Sequence, residues 1–164
     1  MSTSDDSAAL RLLLDRQAIT DVLHKYSSSI DSFDYDGVRS TFADDVWAHY
    51  GFHDPAIGGD TVTAWIKEAT ASVVWQHHLL SVYSVEIDGD SAKTLSYLTS
   101  FQVFKENPKT AVILVARYHD ELRREATGWK LSRRIMEVLW GETREDQGTI
   151  LPDGPAPRIW IREA

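Results

Sequence analysis

Four long runs of alternating apolar and polar residues, separated only by turn-sized gaps, constrain the fold more than any other feature of this chain. Residues 75–87, 91–105, 110–125 and 129–142 follow a period of two, the repeat that sends successive side chains to opposite faces of a β-strand. Between them lie Asp88-Gly89-Asp90, Glu106-Asn107-Pro108-Lys109 and Ala126-Thr127-Gly128, which suit tight turns. The runs are about twice the common strand length of 5–6 residues, which predicts strong twist and at least one bulge.

The first seventy residues follow the helical period instead. Residues 4–7 offer N-caps, and Ile19, Val22, Leu23, Tyr26 and Ile30 form one stripe at 100° spacing, with Leu10, Leu13 and Leu14 nearly opposite. Asp34 can cap a short second helix that buries Val38, Thr41 and Phe42. Residues 46–51 read as a short strand and residues 53–59, with Pro55, Gly58 and Gly59, as a loop. Asp60 is placed to cap a third helix, with Val62, Trp65, Ile66 and Ala69 at helical spacing. Three helices followed by a strand meander predict an α+β fold: a curved antiparallel sheet, a cone-like half barrel, closed by three N-terminal helices. Such a shell leaves an apolar hollow for a small ligand. Residues 143–164, with Pro152, Pro155 and Pro157 ahead of Ile159-Trp160-Ile161, read as a tail that folds over the mouth as a lid.

At 164 residues the chain suits one domain, since domains run to roughly 100–200 residues. It has no cysteine, which excludes disulfides, thiolate nucleophiles, iron–sulfur clusters and cysteine zinc sites. A net charge of −8 repels nucleic acid and anionic membrane surfaces. The polar, acidic start and the absence of a bilayer-length apolar run predict a cytoplasmic protein.

The familiar short motifs for nucleotide binding, serine hydrolysis and zinc proteolysis are absent. Ser32 to Gly37 imitates the start of a calcium loop, but Ser32 and Ala43 stand where that loop needs carboxylates. The six histidines form no metal-ligand spacing; no metal and no cofactor are expected. What remains is polar residues where hydrocarbon should be. Tyr26 lies on the buried helical stripe and Asp31 follows where that helix should stop. His77 alternates with Leu79, Ser81, Tyr83, Val85 and Ile87, while His78 shares the other face with Leu80, Val82, Ser84 and Glu86. An imidazole beside a carboxylate in an apolar hollow is an acid–base pair; the plainer alternative is a surface aspartate and a core histidine bonded to backbone. Trp47, Tyr50, Trp65 and Trp75 read as core or as ligand box. One of Arg133 and Arg134 must point inward or be displaced at a bulge, and an inward arginine needs an anion, a carbonyl or a buried acid to meet, for which Asp31 is a candidate.

Four stretches carry a resemblance. They are residues 18–26 (Ala-Ile-Thr-Asp-Val-Leu-His-Lys-Tyr) running to Ile30-Asp31, residues 42–50 (Phe-Ala-Asp-Asp-Val-Trp-Ala-His-Tyr), and Gln76-His77 followed by residues 85–90 (Val-Glu-Ile-Asp-Gly-Asp). The last joins residues 117–124 (Arg-Tyr-His-Asp-Glu-Leu-Arg-Arg) to residues 128–134 (Gly-Trp-Lys-Leu-Ser-Arg-Arg). In this order they resemble the SnoaL-like family of the nuclear-transport-factor-2-like superfamily, which includes scytalone dehydratase, hexachlorocyclohexane dehydrochlorinase, bile-acid dehydratase and polyketide cyclases.

The resemblance implies that Asp31 and His77 match the family's proton-abstracting Asp–His dyad. Tyr50 matches a tyrosine of scytalone dehydratase, whose other tyrosine falls on Ile30, while Tyr26 resembles that of the bile-acid enzyme. Arg134 matches the arginine of the dehydrochlorinase. Gln102 replaces a second catalytic histidine, and Ala116 and Tyr118 replace a serine and an asparagine, so scytalone itself is not the expected substrate. The expectation is a cofactor-independent lyase or isomerase acting on a small apolar cyclic or aromatic ligand. Asp31 and His77 would be catalytic, and Tyr26, Trp47, Tyr50, Gln102, Tyr118 and Arg134 would hold substrate. The alternatives are a polyketide cyclase-like enzyme or the non-catalytic small subunit of a ring-hydroxylating oxygenase. Leu80, Val82 and the Leu10–Leu14 patch predict self-association, with a trimer suggested by the relatives.

Overall fold

The structure is a computed structural model that describes residues 3–51 and 53–145. Helix α1 (Thr3–Asp31) and the short α2 (Tyr35–Thr41) precede β1 (Phe42–His49) and the two-residue β2 (Ala56–Ile57). Helix α3 (Gly59–Ala69) then leads into the meander β3 (Val73–Asp88), β4 (Ser91–Phe104), β5 (Ala111–Glu125) and β6 (Gly128–Arg144). The six strands form one curved, unclosed sheet in the order β2-β1-β6-β5-β4-β3. The meander is antiparallel throughout, as its turns require, and β1 adds to its edge in parallel with β6. The expected lid falls, from residue 146 onward, outside the described residues.

Helix α1 buries the stripe Ile19, Leu23, Tyr26 and Ile30 against the inner face of the sheet. Its first turns make no such contact: Leu10, Leu12, Leu13 and Leu14 are exposed. Asp15 anchors the helix midway, accepting two hydrogen bonds from Arg124 at 2.7 Å and one from the Trp129 indole at 3.3 Å. Asp34 caps α2 through the Gly37 N–H. The cap of α3 is Gly58, at φ +94°, rather than Asp60, which bridges to Arg39 from the first turn.

Two of the four long strands, β3 and β6, carry bulges that change which residues face inward. The pairing of β3 with β4 slips between Val82 and Ser84, and that of β5 with β6 slips between Val115 and Ala116 and again between Glu121 and Leu122. Each extra residue reverses the inward and outward phase beyond it.

Candidate active site

The inner face of the sheet and the helices enclose a cavity of about 310 Å3. Ile30, Ile66, Leu98, Val112, Leu114, Met136 and Trp65 supply its apolar wall, and Tyr26, Tyr50, His53, His78, Ser100, Gln102 and Tyr118 its polar groups. A larger groove of about 610 Å3 lies at the far ends of β3 to β6 between Glu86, Lys93, Glu121 and Arg123. It holds no histidine or tyrosine, whereas the smaller cavity brings two histidines and three tyrosines together.

Asp31 is the last residue of α1, and its carboxylate meets His78, not His77. Oδ1 lies 2.5 Å from His78 Nδ1, and Oδ2 accepts the backbone N–H of the same residue at 3.0 Å. A carboxylate only accepts hydrogen bonds, so Nδ1 carries the proton and Nε2 is left to the cavity. His77 stands on the opposite face of β3 with its side chain half exposed, its Nδ1 3.8 Å from Asp31 Oδ2 and its ring against Trp75. The bulge explains the reversal. Val85 is buried and Ile87 half-buried, and both lie in step with His77 in sequence, but the slip between Val82 and Ser84 puts residues 76, 78, 80 and 82 inward instead. Leu80 and Val82 therefore pack on the core, and Leu79 and Tyr83 are the exposed pair.

Gln76 braces this arrangement. Its amide donates to the Ile30 carbonyl at 2.6 Å, which at the helix end also accepts the Phe33 N–H at 3.0 Å, and its oxygen accepts from Gln102 at 3.3 Å. Beside His78 in register stands Ser100 of β4, whose hydroxyl has no partner among the described residues and opens on the cavity.

Three tyrosines form the other polar end. Tyr26 and Tyr50 share a hydroxyl hydrogen bond of 2.8 Å, Tyr50 stacks on Trp65 at 5.0 Å, and Tyr118 meets Tyr26 edge-on at 6.1 Å. Arg134 lies behind them and not in the cavity wall. Wholly buried, it donates to both oxygens of Asp120 at 2.8 and 2.7 Å, and its Cζ sits 4.0 Å from the ring centres of Tyr26 and Tyr118. Its partner is Asp120, not Asp31. Burial opposes the charge of Arg134, but the Asp120 carboxylate outweighs that and holds the proton well above the ordinary arginine value. Burial also raises all three tyrosines, Tyr50 and Tyr118 well above the ordinary value, while Arg134 pulls Tyr26 back. The phenols are therefore neutral hydrogen-bond donors at neutral pH.

Trp47 lies away from the cavity, beneath the Arg133 guanidinium at 4.0 Å. Among the described residues no cluster of three histidine, aspartate or glutamate side chains could hold a metal, and no helix is long and apolar enough to cross a membrane. Sequence reasoning missed His78, Asp120 and His53. For Asp120 a signal was present: it alternates in phase with Tyr118 and Leu122 on β5.

Comparison with known proteins agrees with this architecture. A protein of Mycobacterium tuberculosis is 27% identical over 126 residues, covering 74% of this chain and 83% of its own. The structure of a proposed aromatic ring hydroxylase from Novosphingobium aromaticivorans superposes with a TM-score of 0.73 at 27% identity, covering 81% of this chain and 94% of that one. A hexachlorocyclohexane dehydrochlorinase of Novosphingobium barchaimii shares the fold at a TM-score of 0.79 and 16% identity, covering 88% and 99%. The family model of the SnoaL-like domain matches residues 11–135, and the chain belongs to that family.

Proposed function

We propose that this protein is a cofactor-independent lyase or isomerase that moves a proton on a small, mostly apolar cyclic substrate, with His78 as the base and Asp31 as the group that orients it. The observation that carries the reading is the two-point hold of Asp31 on His78 at the wall of an apolar cavity. His78 Nε2 takes a proton from a carbon next to a carbonyl, and the Asp31 carboxylate stabilises the imidazolium. The electron pair moves onto the carbonyl oxygen, where the hydroxyls of the tyrosine cluster donate hydrogen bonds to it. Collapse then expels a leaving group to give the alkene, or returns the proton to a different carbon to give the isomer.

The likeness in fold to a dehydrochlorinase favours elimination. A cavity of about 310 Å3 is at the small end of the ~300–1,000 Å3 usual for ligand sites, which suits a one- or two-ring molecule. Transfer of deuterium from heavy water into cyclic ketones, followed by product mass, tests the reading. Exchange with loss of water marks a lyase, exchange with no mass change beyond the deuterium taken up an isomerase or cyclase, and no exchange with any cyclic ketone contradicts it.

A second reading is the non-catalytic small subunit of a ring-hydroxylating oxygenase, favoured by the likeness to the proposed aromatic ring hydroxylase. It requires the chain to copurify with a larger metal-bearing protein. Self-association belongs to either reading. Leu79, Tyr83 and Trp140 are exposed on the sheet face turned away from the core, and such a surface suits a homo-oligomer, a trimer by preference. Sedimentation equilibrium tests it, with a monomer as the contrary result.

A further inference from the structure

We infer that His53 is a second proton-transferring residue of this cavity, the group that protonates the oxygen leaving a cyclic β-hydroxy ketone; the inference rests on the lyase reading above. His53 lies on the loop between β1 and β2 and lines the same cavity as His78. Gly51, at φ +74°, turns the chain into this loop directly after Tyr50, a conformation L side chains rarely adopt. The His53 ring packs edge-on against Trp65 at 5.5 Å, and Trp65 stacks on Tyr50. Among the described residues His53 has no hydrogen-bond or ion-pair partner, and it is exposed. Its nitrogens are thus open both to a ligand and to bulk water.

The two histidines reach the cavity from opposite edges of the sheet, His78 from β3 and His53 from the end of β1. An elimination needs that division. Hydroxide is a poor leaving group, so the departing oxygen needs a proton while the carbon loses one. The tyrosines suit this badly as acids because burial holds their protons tightly, and Ser100 and Gln102 do not titrate. An imidazole both gives and takes a proton through its ring nitrogens, and at an exposed mouth it is recharged by solvent. In the step, His78 Nε2 takes the proton between the carbonyl and the hydroxyl-bearing carbon. That C–H pair becomes the C=C bond, the C–O bond breaks, and the oxygen takes the His53 proton and leaves as water. His78 then loses a proton to solvent and His53 regains one, so the net change is loss of one water.

The test uses the full chain and β-hydroxycyclohexanone, following deuterium uptake beside the carbonyl and enone absorbance in parallel. His53→Gln is expected to lower enone formation by about 100-fold while deuterium uptake falls far less, with an unchanged melting temperature. Enone formation at the wild-type rate by His53→Gln overturns the inference and leaves the base untouched. Full deuterium uptake by His78→Gln instead overturns the base assignment, whatever His53→Gln does. A wild-type chain that neither exchanges nor eliminates contradicts both.

Discussion

Asp31 grips His78 at two points, taking the ring N–H on one carboxylate oxygen at 2.5 Å and the backbone N–H on the other at 3.0 Å. The neighbouring His77 comes no closer than 3.8 Å with the same nitrogen and turns its ring outward. Because one acceptor fixes the ring and the other the strand, the imidazole cannot rotate without losing a charge-assisted bond, each worth about 1.5–3 kcal/mol. The end of a helix thereby sets the tautomer of a strand residue.

The buried Arg134–Asp120 pair lies outside the cavity lining and bears on stability. Asp120→Asn leaves a guanidinium uncompensated in the interior, and the expected loss is about 3–5 kcal/mol, read from the denaturant midpoint. Replacing both residues together, Asp120→Leu with Arg134→Met, is expected to recover most of that loss, because no buried charge remains.

The three buried phenols give an alkaline signature. Their folded pKa values lie above the ordinary value of 10, so the unfolded chain ionises first. The stability they confer is complete below about pH 10 and declines as pH rises past it. Phenolate absorbance should show Tyr26, Tyr50 and Tyr118 titrating only together with the loss of folded circular dichroism; their ionisation in the folded chain near the ordinary value would contradict this.

At the acid end Glu137 plays the opposite part. Arg117 donates two hydrogen bonds to it at 3.0 and 2.7 Å, His119 contacts it at 2.9 Å, and the carboxyl is held down to about 2. A depressed folded value means its contribution is present above the ordinary 4.5 and is lost as pH falls toward about 2. Asp15, held low by Arg124, acts in the same direction. Glu137→Gln should flatten the stability profile between these limits, measured by melting temperature against pH.

The helices and strands were legible because their periodic runs are long: the α1 stripe, the Asp34 cap and all three hairpin turns lie where pattern and turn chemistry put them. Which histidine meets Asp31 was not legible. Alternation counts residues from one end of a strand, and the bulge between Val82 and Ser84 breaks the count by which Val85 and Ile87 point to His77. No local sequence feature marks that extra residue, because a bulge is set by pairing with β4. The Asp120 partner of Arg134 was missed for a related reason, since it sits on a neighbouring strand 14 residues away in sequence. The parallel placement of β1 on β6 likewise depends on contacts that no single segment carries.

The most direct test compares two adjacent substitutions. His78→Gln and His77→Gln differ only in which face of β3 they alter, so deuterium exchange into a cyclic ketone tests which of the two acts as the base. The account expects His78→Gln to lose at least about 100-fold, with His77→Gln close to wild type. The reverse pattern, or equal rates from both, would contradict it.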